Sequence, residues 1–174
     1  DGELHYHPSA GGLATGLNSL DDSYNKLWIG WPGQDIKDDW EQEAIRKDLA
    51  KLSLAPVVLS PREIELYYEG FSNKTIWPHF HYFTEYTTYR DSYWDAYKEV
   101  NFKFFQEVEK HIQEDDMIWV HDYQLMLLPN MIRQKFPKVS IGFFLHIPFP
   151  SYEVFRILPW REEILTGLLG SDQI

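Results

Sequence analysis

No cysteine occurs among the 174 residues, so neither a disulfide framework nor a thiolate metal site can be built from this chain. That absence fits a reducing, cytoplasmic compartment. Basic residues are scarce: 16 Lys and Arg face 27 Asp and Glu, for a formal net charge of −11. With no basic stripe to meet a phosphate backbone, nucleic acid is excluded as an expected partner. An anionic small molecule is not excluded, because backbone amides and a few placed cations bind phosphate locally. No apolar run approaches the roughly 18 residues of a membrane helix. Asp1-Gly2-Glu3 does not open a signal peptide. The membrane is therefore not an expected partner either. No internal repeat, low-complexity segment or linker breaks the chain, and its length suits one substantial α/β core.

Aromatics, by contrast, are plentiful at 17%, with seven Trp and eleven Tyr. Burial is their commoner use, and stacking against sugars is the functional one. Apolar runs with strand character recur at residues 27–31, 55–59, 117–120 and 140–145. Between them lie helical patterns: 38–51 with Ile45, Leu49 and Leu52 on one side, and a longer one over 93–112. The longer one carries Trp94, Tyr97, Val100, Phe104, Val108 and Ile112 as a single stripe. Ser60-Pro61-Arg62-Glu63 is a helix-start signature, and further helices are expected over 123–135 and 161–169. Strands alternating with helices predict an α/β fold, a Rossmann-like parallel sheet with helices on both faces. Both ends read as cut. A phosphate-binding glycine loop usually leaves a strand, yet only ten residues without an apolar run precede Gly11, and Gly170 to Ile174 reads as the start of another strand. The expectation is a fragment of a larger enzyme.

Three constellations carry chemistry. Gly11-Gly12, ahead of Leu13, would let backbone approach a ligand and turn helix amides toward an anion, or would form an ordinary turn. It matches neither the dinucleotide fingerprint nor the P-loop. Two strands end in titratable groups: Met117 to Val120 runs into His121-Asp122. Ile141 to Leu145 runs into His146 and the rigid turn Ile147-Pro148-Phe149-Pro150. Ligands of parallel sheets sit beyond such carboxyl ends, although a histidine there is often only structural. A zinc site built from His79-Phe80-His81 with these groups lacks any supporting H-E-x-x-H or cysteine framework. The third stretch, Tyr67-Tyr68 through Trp77-Pro78, is too aromatic and too broken for an ordinary exposed loop. It offers hydroxyls and a flat apolar face to a hexose, or packs beneath a loop.

Five motifs then occur in one order: Ala10-Gly11-Gly12-Leu13-Ala14, Trp28-Ile29-Gly30-Trp31-Pro32-Gly33, Tyr67-Tyr68 through Trp77-Pro78, Trp119-Val120-His121-Asp122-Tyr123, and Phe143 through Pro150. Together they resemble the amino-terminal half of the trehalose-6-phosphate synthases, retaining glycosyltransferases of the two-domain B fold. The resemblance covers essentially the whole chain. It implies that residues 1–174 form a single Rossmann-like acceptor-side domain, whose partner is the carboxyl-terminal Rossmann domain of the same enzyme. The implied reaction transfers glucose from UDP-glucose to glucose 6-phosphate.

Carried over residue by residue, the resemblance places Gly11 and Gly12 at the donor's phosphates and sugar. Tyr68 would meet the acceptor phosphate, and Trp31 and Trp77 would wall the acceptor site. Asp122 would hold the acceptor's hydroxyls, and His146, with Ile147 beside it, would lie at the donor glucose. Asp122 and His146 are the candidate catalytic residues. The family uses no cofactor, no metal and no protein nucleophile, and the donor phosphate is thought to help deprotonate the acceptor. Two features of the family are missing. No arginine in a Ser-Asn-Arg context precedes Gly11, and the second domain with its phosphate-binding cations is absent. The fragment alone is expected to be inactive. A non-catalytic sugar-phosphate sensor or regulatory homologue is the rival reading, and a transferase of another nucleotide sugar is a third. A homo-oligomer is left open.

Overall fold

A computed structural model describes residues 25–34, 36 and 38–174. Gly11 and Gly12 lie outside the described residues. β1 (Trp28–Gly30), α1 (Asp39–Ala50) and β2 (Leu54–Pro56) come first. A helical rod follows, then α2 (Asp91–His111), β3 (Met117–His121), α3 (Leu128–Lys135), β4 (Ser140–Phe144) and α4 (Arg161–Leu168). β1 pairs with β2 and β3 with β4, both in parallel, as the strand–helix alternation predicts. Among the described residues the four strands form two pairs rather than one continuous sheet. Asp172 N–H donates to Ile141 O at 2.7 Å and Phe143 N–H to Gln173 O at 2.9 Å, so residues 172–173 run alongside β4.

Strand boundaries shift by one to three residues from the sequence expectation. Residues 57–59 leave the ladder of β2, although Val57 N–H still donates to Gly30 O and Val57 and Leu59 stay buried. β3 runs one residue further than expected, with His121 opposite Phe144. The side chains of β3 and β4 separate by face. Val120, Ile141 and Phe143 are buried, whereas Met117 and Trp119 on the opposite face are 82% and 50% exposed. That is the period-two alternation of a sheet packed on one side.

The stretch read as broken from Tyr67 to Pro78 is helical, which corrects that expectation. Ser60 opens it with a reciprocal cap: its hydroxyl accepts from Glu63 N–H, while its own N–H donates to the Glu63 carboxylate at 2.8 Å. After the first turn, Pro61–Glu63, the chain widens into a π-helix over Ile64–Ile76 and closes in the turn Trp77–Phe80. Pro78 is tolerated because it falls at the amino end of that last turn, where its missing N–H is not needed. At Gly70 a Cβ would come within 2.9 Å of the Tyr93 ring on α2, so only glycine permits this packing distance. The helix expected over 123–135 is also shorter. Pro129 sits at the amino end of α3, and residues Tyr123–Leu125 form a separate 3-10 turn.

The core is aromatic where α2 meets the π-helix. Phe71 lies 4.4 Å from Tyr97 and 5.4 Å from Trp160, ring centre to ring centre, and Trp94 stacks on Trp160 at 5.4 Å. Full burial of each such side chain stabilises by about 1.5–3 kcal/mol. For these rings the packing reading of the aromatic excess holds. No helix among the described residues is long and apolar enough to cross a membrane.

Candidate functional site

The ends of β3 and β4 are tied together by one residue in an unusual conformation. Asp122 has φ 74° and ψ 170°, a region that costs a non-glycine residue about 1–3 kcal/mol. Its N–H continues the ladder to Phe144 O at 2.8 Å. Its carboxylate Oδ1 then accepts two backbone N–H groups, Tyr123 at 3.0 Å and His146 at 3.1 Å. One carboxylate oxygen therefore fixes the turn after β3 and the turn after β4 against each other. Strain of this kind persists only where surrounding contacts over-determine it.

Those contacts come from α2 and the π-helix. Tyr97 donates to Tyr123 O at 2.8 Å and accepts from Met126 N–H at 3.0 Å. Asn101 donates to Gln124 O and accepts from Leu127 N–H, and Tyr67 donates to Gln124 O at 3.2 Å. On the other side α4 presses in at Gly167, where a Cβ would stand 2.8 Å from Leu127 Cα. Residues 122–127 are thus clamped from two directions. Nothing local in their sequence announces this net, apart from polar residues at α2 positions that a purely apolar stripe would not include.

Around Asp122 the rings gather. His121 Nδ1 lies 3.2 Å from His146 Nε2, with the ring centres 5.4 Å apart and the planes inclined by 29°. Burial first, and then His146, hold His121 below the usual histidine range, with Asp122 opposing. His121 Nε2 is buried and has no partner among the described residues. The Tyr123 hydroxyl donates to Asn73 Oδ1 at 3.2 Å on the π-helix. Burial, then Asp122 and Tyr68, raise its pKa to about 12, so it stays a neutral donor. Tyr68 in turn packs against Trp31 at 5.3 Å. The structure therefore links Asp122 and His146 with His121 and Tyr123 in one group, and brings Trp31 and Tyr68 together as a separate pair within electrostatic reach of Tyr123, a residue that sequence reasoning missed. Ile147, half-buried, packs on the main core below.

Trp77 is placed differently. Its ring contacts among the described residues are His81, stacked at 4.2 Å, and Phe83 at 6.3 Å. It is 40% exposed, a free face for a ligand, but it touches none of the other candidates through a ring. His79 does not serve as a metal ligand. Its Nε2–H donates to Val154 O at 2.9 Å, and its Nδ1 accepts from the Tyr89 hydroxyl at 2.9 Å. Both nitrogens of this fully buried ring are engaged, which overturns the zinc reading of His79-Phe80-His81. A separate cavity of about 520 Å³ lies between α1, α2 and residues 57–61, and Arg46, Lys103 and Lys110 line it beside Glu107. It shares no residue with the linked group. Arg46 and Lys110 already pair with Glu107 there.

The family model described as glycosyltransferase family 20 matches residues 1–174. The chain belongs to glycosyltransferase family 20. It is 47% identical over 178 residues to the alpha,alpha-trehalose-phosphate synthase [UDP-forming] 56 kDa subunit of Kluyveromyces lactis, covering 99% of this chain and 36% of that relative. A solved alpha,alpha-trehalose-phosphate synthase (UDP-forming) of Burkholderia xenovorans, in complex with glucose-6-phosphate, superposes with a TM-score of 0.79. It is 32% identical and covers 95% of this chain and 36% of its own. The amino-terminal domain of a Candida albicans trehalose-6-phosphate phosphatase also matches, with a TM-score of 0.70 at 35% identity over 83% of this chain and 31% of that one. The family-20 chain thus spans about a third of the length of these relatives. The trehalose-phosphate synthase structures among them have the B fold that the linked motifs imply.

Proposed function

We propose that this family-20 chain is the acceptor-side domain of a retaining transferase that moves glucose from UDP-glucose to glucose 6-phosphate, forming trehalose 6-phosphate. The observation that carries this reading is the Asp122 carboxylate, held at a strained turn with His146 N–H as its partner. A carboxylate so fixed keeps its second oxygen for ligand hydroxyls and loses little entropy when it binds them. Tyr68 offers a hydroxyl beside the Trp31 ring, suited to an acceptor's phosphate and apolar face. Trp77 offers an exposed indole as a second wall. His146 would meet the donor glucose, with Ile147 fixing the turn from below. Gly11 and Gly12 would meet the donor's phosphates. No metal or cofactor is needed for this division of work. Charge on the departing nucleotide must be met by cations, and those are assigned to a second Rossmann domain in the same enzyme. The chain alone is therefore inactive in this reading. We place the enzyme in the cytoplasm.

Calorimetric titration with glucose 6-phosphate tests the reading. Asp122→Ala should weaken binding in the full-length enzyme by roughly tenfold or more, the loss of at least one charge-assisted hydrogen bond, and unchanged binding would overturn the assignment. A second reading has one observation in its favour, the likeness to the amino-terminal domain of a phosphatase. In that case the domain senses sugar phosphate without transferring glucose. Acceptor-dependent release of UDP by the full-length protein separates the two, since a sensor binds the acceptor and releases none.

A further inference from the structure

Within the linked group, His121 has no role in the reading above, yet it makes the one side-chain hydrogen bond to the His146 ring among the described residues. Its ring lies between Trp119, at 4.8 Å, and His146, at 5.4 Å, while Phe144 backs His146 at 4.7 Å. The contact between His121 Nδ1 and His146 Nε2 needs one proton between the two nitrogens. Two arrangements satisfy it. If His146 Nε2–H donates, neutral His121 must carry its own proton on Nε2, and that buried N–H has nothing among the described residues to accept it. If His121 Nδ1–H donates, the orphan is a bare nitrogen lone pair. Buried donors without a partner are rarer than under-satisfied acceptors. The second arrangement is favoured.

The geometry points to His121 as a positioning residue that holds His146 in the tautomer with its proton on Nδ1. His146 Nε2 is then occupied as an acceptor, and the exposed ring presents Nδ1–H. An imidazole so constrained is a hydrogen-bond donor toward a ligand oxygen, not a base. Its orientation is locked twice, by the ring contact to His121 and by the backbone N–H bond to Asp122 Oδ1 at 3.1 Å. The use of that donor rests on the transferase reading, in which the oxygen belongs to a hydroxyl of the donor glucose. The tautomer itself does not.

The test is a two-bond proton–nitrogen correlation spectrum of the full chain with labelled imidazoles, recorded at pH 8, above the range in which histidine titrates. His121→Phe and His146→Gln assign the signals. In the unsubstituted chain both rings should show protonated Nδ1 and bare Nε2. His121→Phe should return His146 to the Nε2–H form that free imidazole prefers. His121→Asn, whose amide nitrogen can stand near the place of Nδ1, should restore the Nδ1–H form. A bare Nδ1 on His146 in the unsubstituted chain, a measurement that needs no variant to fold, overturns the inference. An unchanged His146 signal in His121→Phe does the same. No substrate enters the experiment, so its failure would leave the transferase reading standing. A failed sugar-phosphate titration would leave the expected spectrum intact.

Discussion

His79 and His121 are both histidines withdrawn from water, and burial lowers the pKa of each. Around His79 every hydrogen-bonding position is filled, by Val154 O and the Tyr89 hydroxyl. Around His121, among the described residues, one nitrogen is satisfied only by another histidine and the other by nothing. The first arrangement supports the fold. The second spends stability, beside a residue with φ 74°, to keep polar atoms oriented at a strand end. Burial alone does not separate a structural histidine from a functional one; the completeness of its partners does.

The largest expected effect tests the functional side of this comparison. In the full-length enzyme, Asp122→Ala should lower acceptor-dependent kcat/KM by roughly 10–10⁴-fold, because one or two charge-assisted hydrogen bonds of about 1.5–3 kcal/mol each are lost. Asp122→Asn should cost roughly 10²-fold or less, since it keeps one acceptor oxygen. If instead Asn abolished turnover and removed the acidic limb of the pH–rate profile, Asp122 would be a general base and its orienting role would be wrong.

On the structural side, His79→Ala should destabilise folding by about 2–5 kcal/mol in urea, from the cavity and two unpaired partners. His121→Phe keeps the ring volume and removes an orphaned nitrogen, so it should shift stability by less than about 1 kcal/mol. Equal losses for the two variants would erase the distinction drawn between them.

A smaller effect isolates the strain. Asp122→Gly and Asp122→Ala both lose the carboxylate, but only Ala keeps a side chain at positive φ. The Gly variant should therefore be the more stable by about 1–3 kcal/mol. Equal unfolding midpoints would mean that the turn relaxes once the carboxylate is gone.

The smallest effect is on pH dependence. A buried neutral histidine binds its proton less readily folded than unfolded. Stability should therefore hold above the unfolded value of 6.5 and fall as pH drops below it, through the window down to the lowered folded value. His121→Phe should flatten part of that decline, leaving the share due to His79. A urea-midpoint series between about pH 7.5 and 5 would show it, and an unaltered slope would mean that His121 is not charged on unfolding in that window.

Much of this molecule was legible without coordinates. Short apolar runs bounded by Gly, Pro and charge placed all four strands to within a few residues. The Ser60–Glu63 cap and the stripe of α2 followed from spacings of three and four, which are properties of a helix by itself. The identity of Trp31, Tyr68, Asp122 and His146 as candidates came from linked motifs. Partnership was not legible. Within the π-helix Ile64–Ile76, Gly70 meets Tyr93 across two helices at a distance that leaves no room for a Cβ. The His121–His146 contact spans 25 positions and exists because parallel register sets His121 opposite Phe144. The positive φ of Asp122 is held by Tyr97, Asn101 and Gly167, none of them its neighbour in sequence. Local chemistry determines what each segment can become. Which polar atoms are satisfied, strained or left bare depends on groups brought together from distant parts of the chain, and only the packed structure decides that.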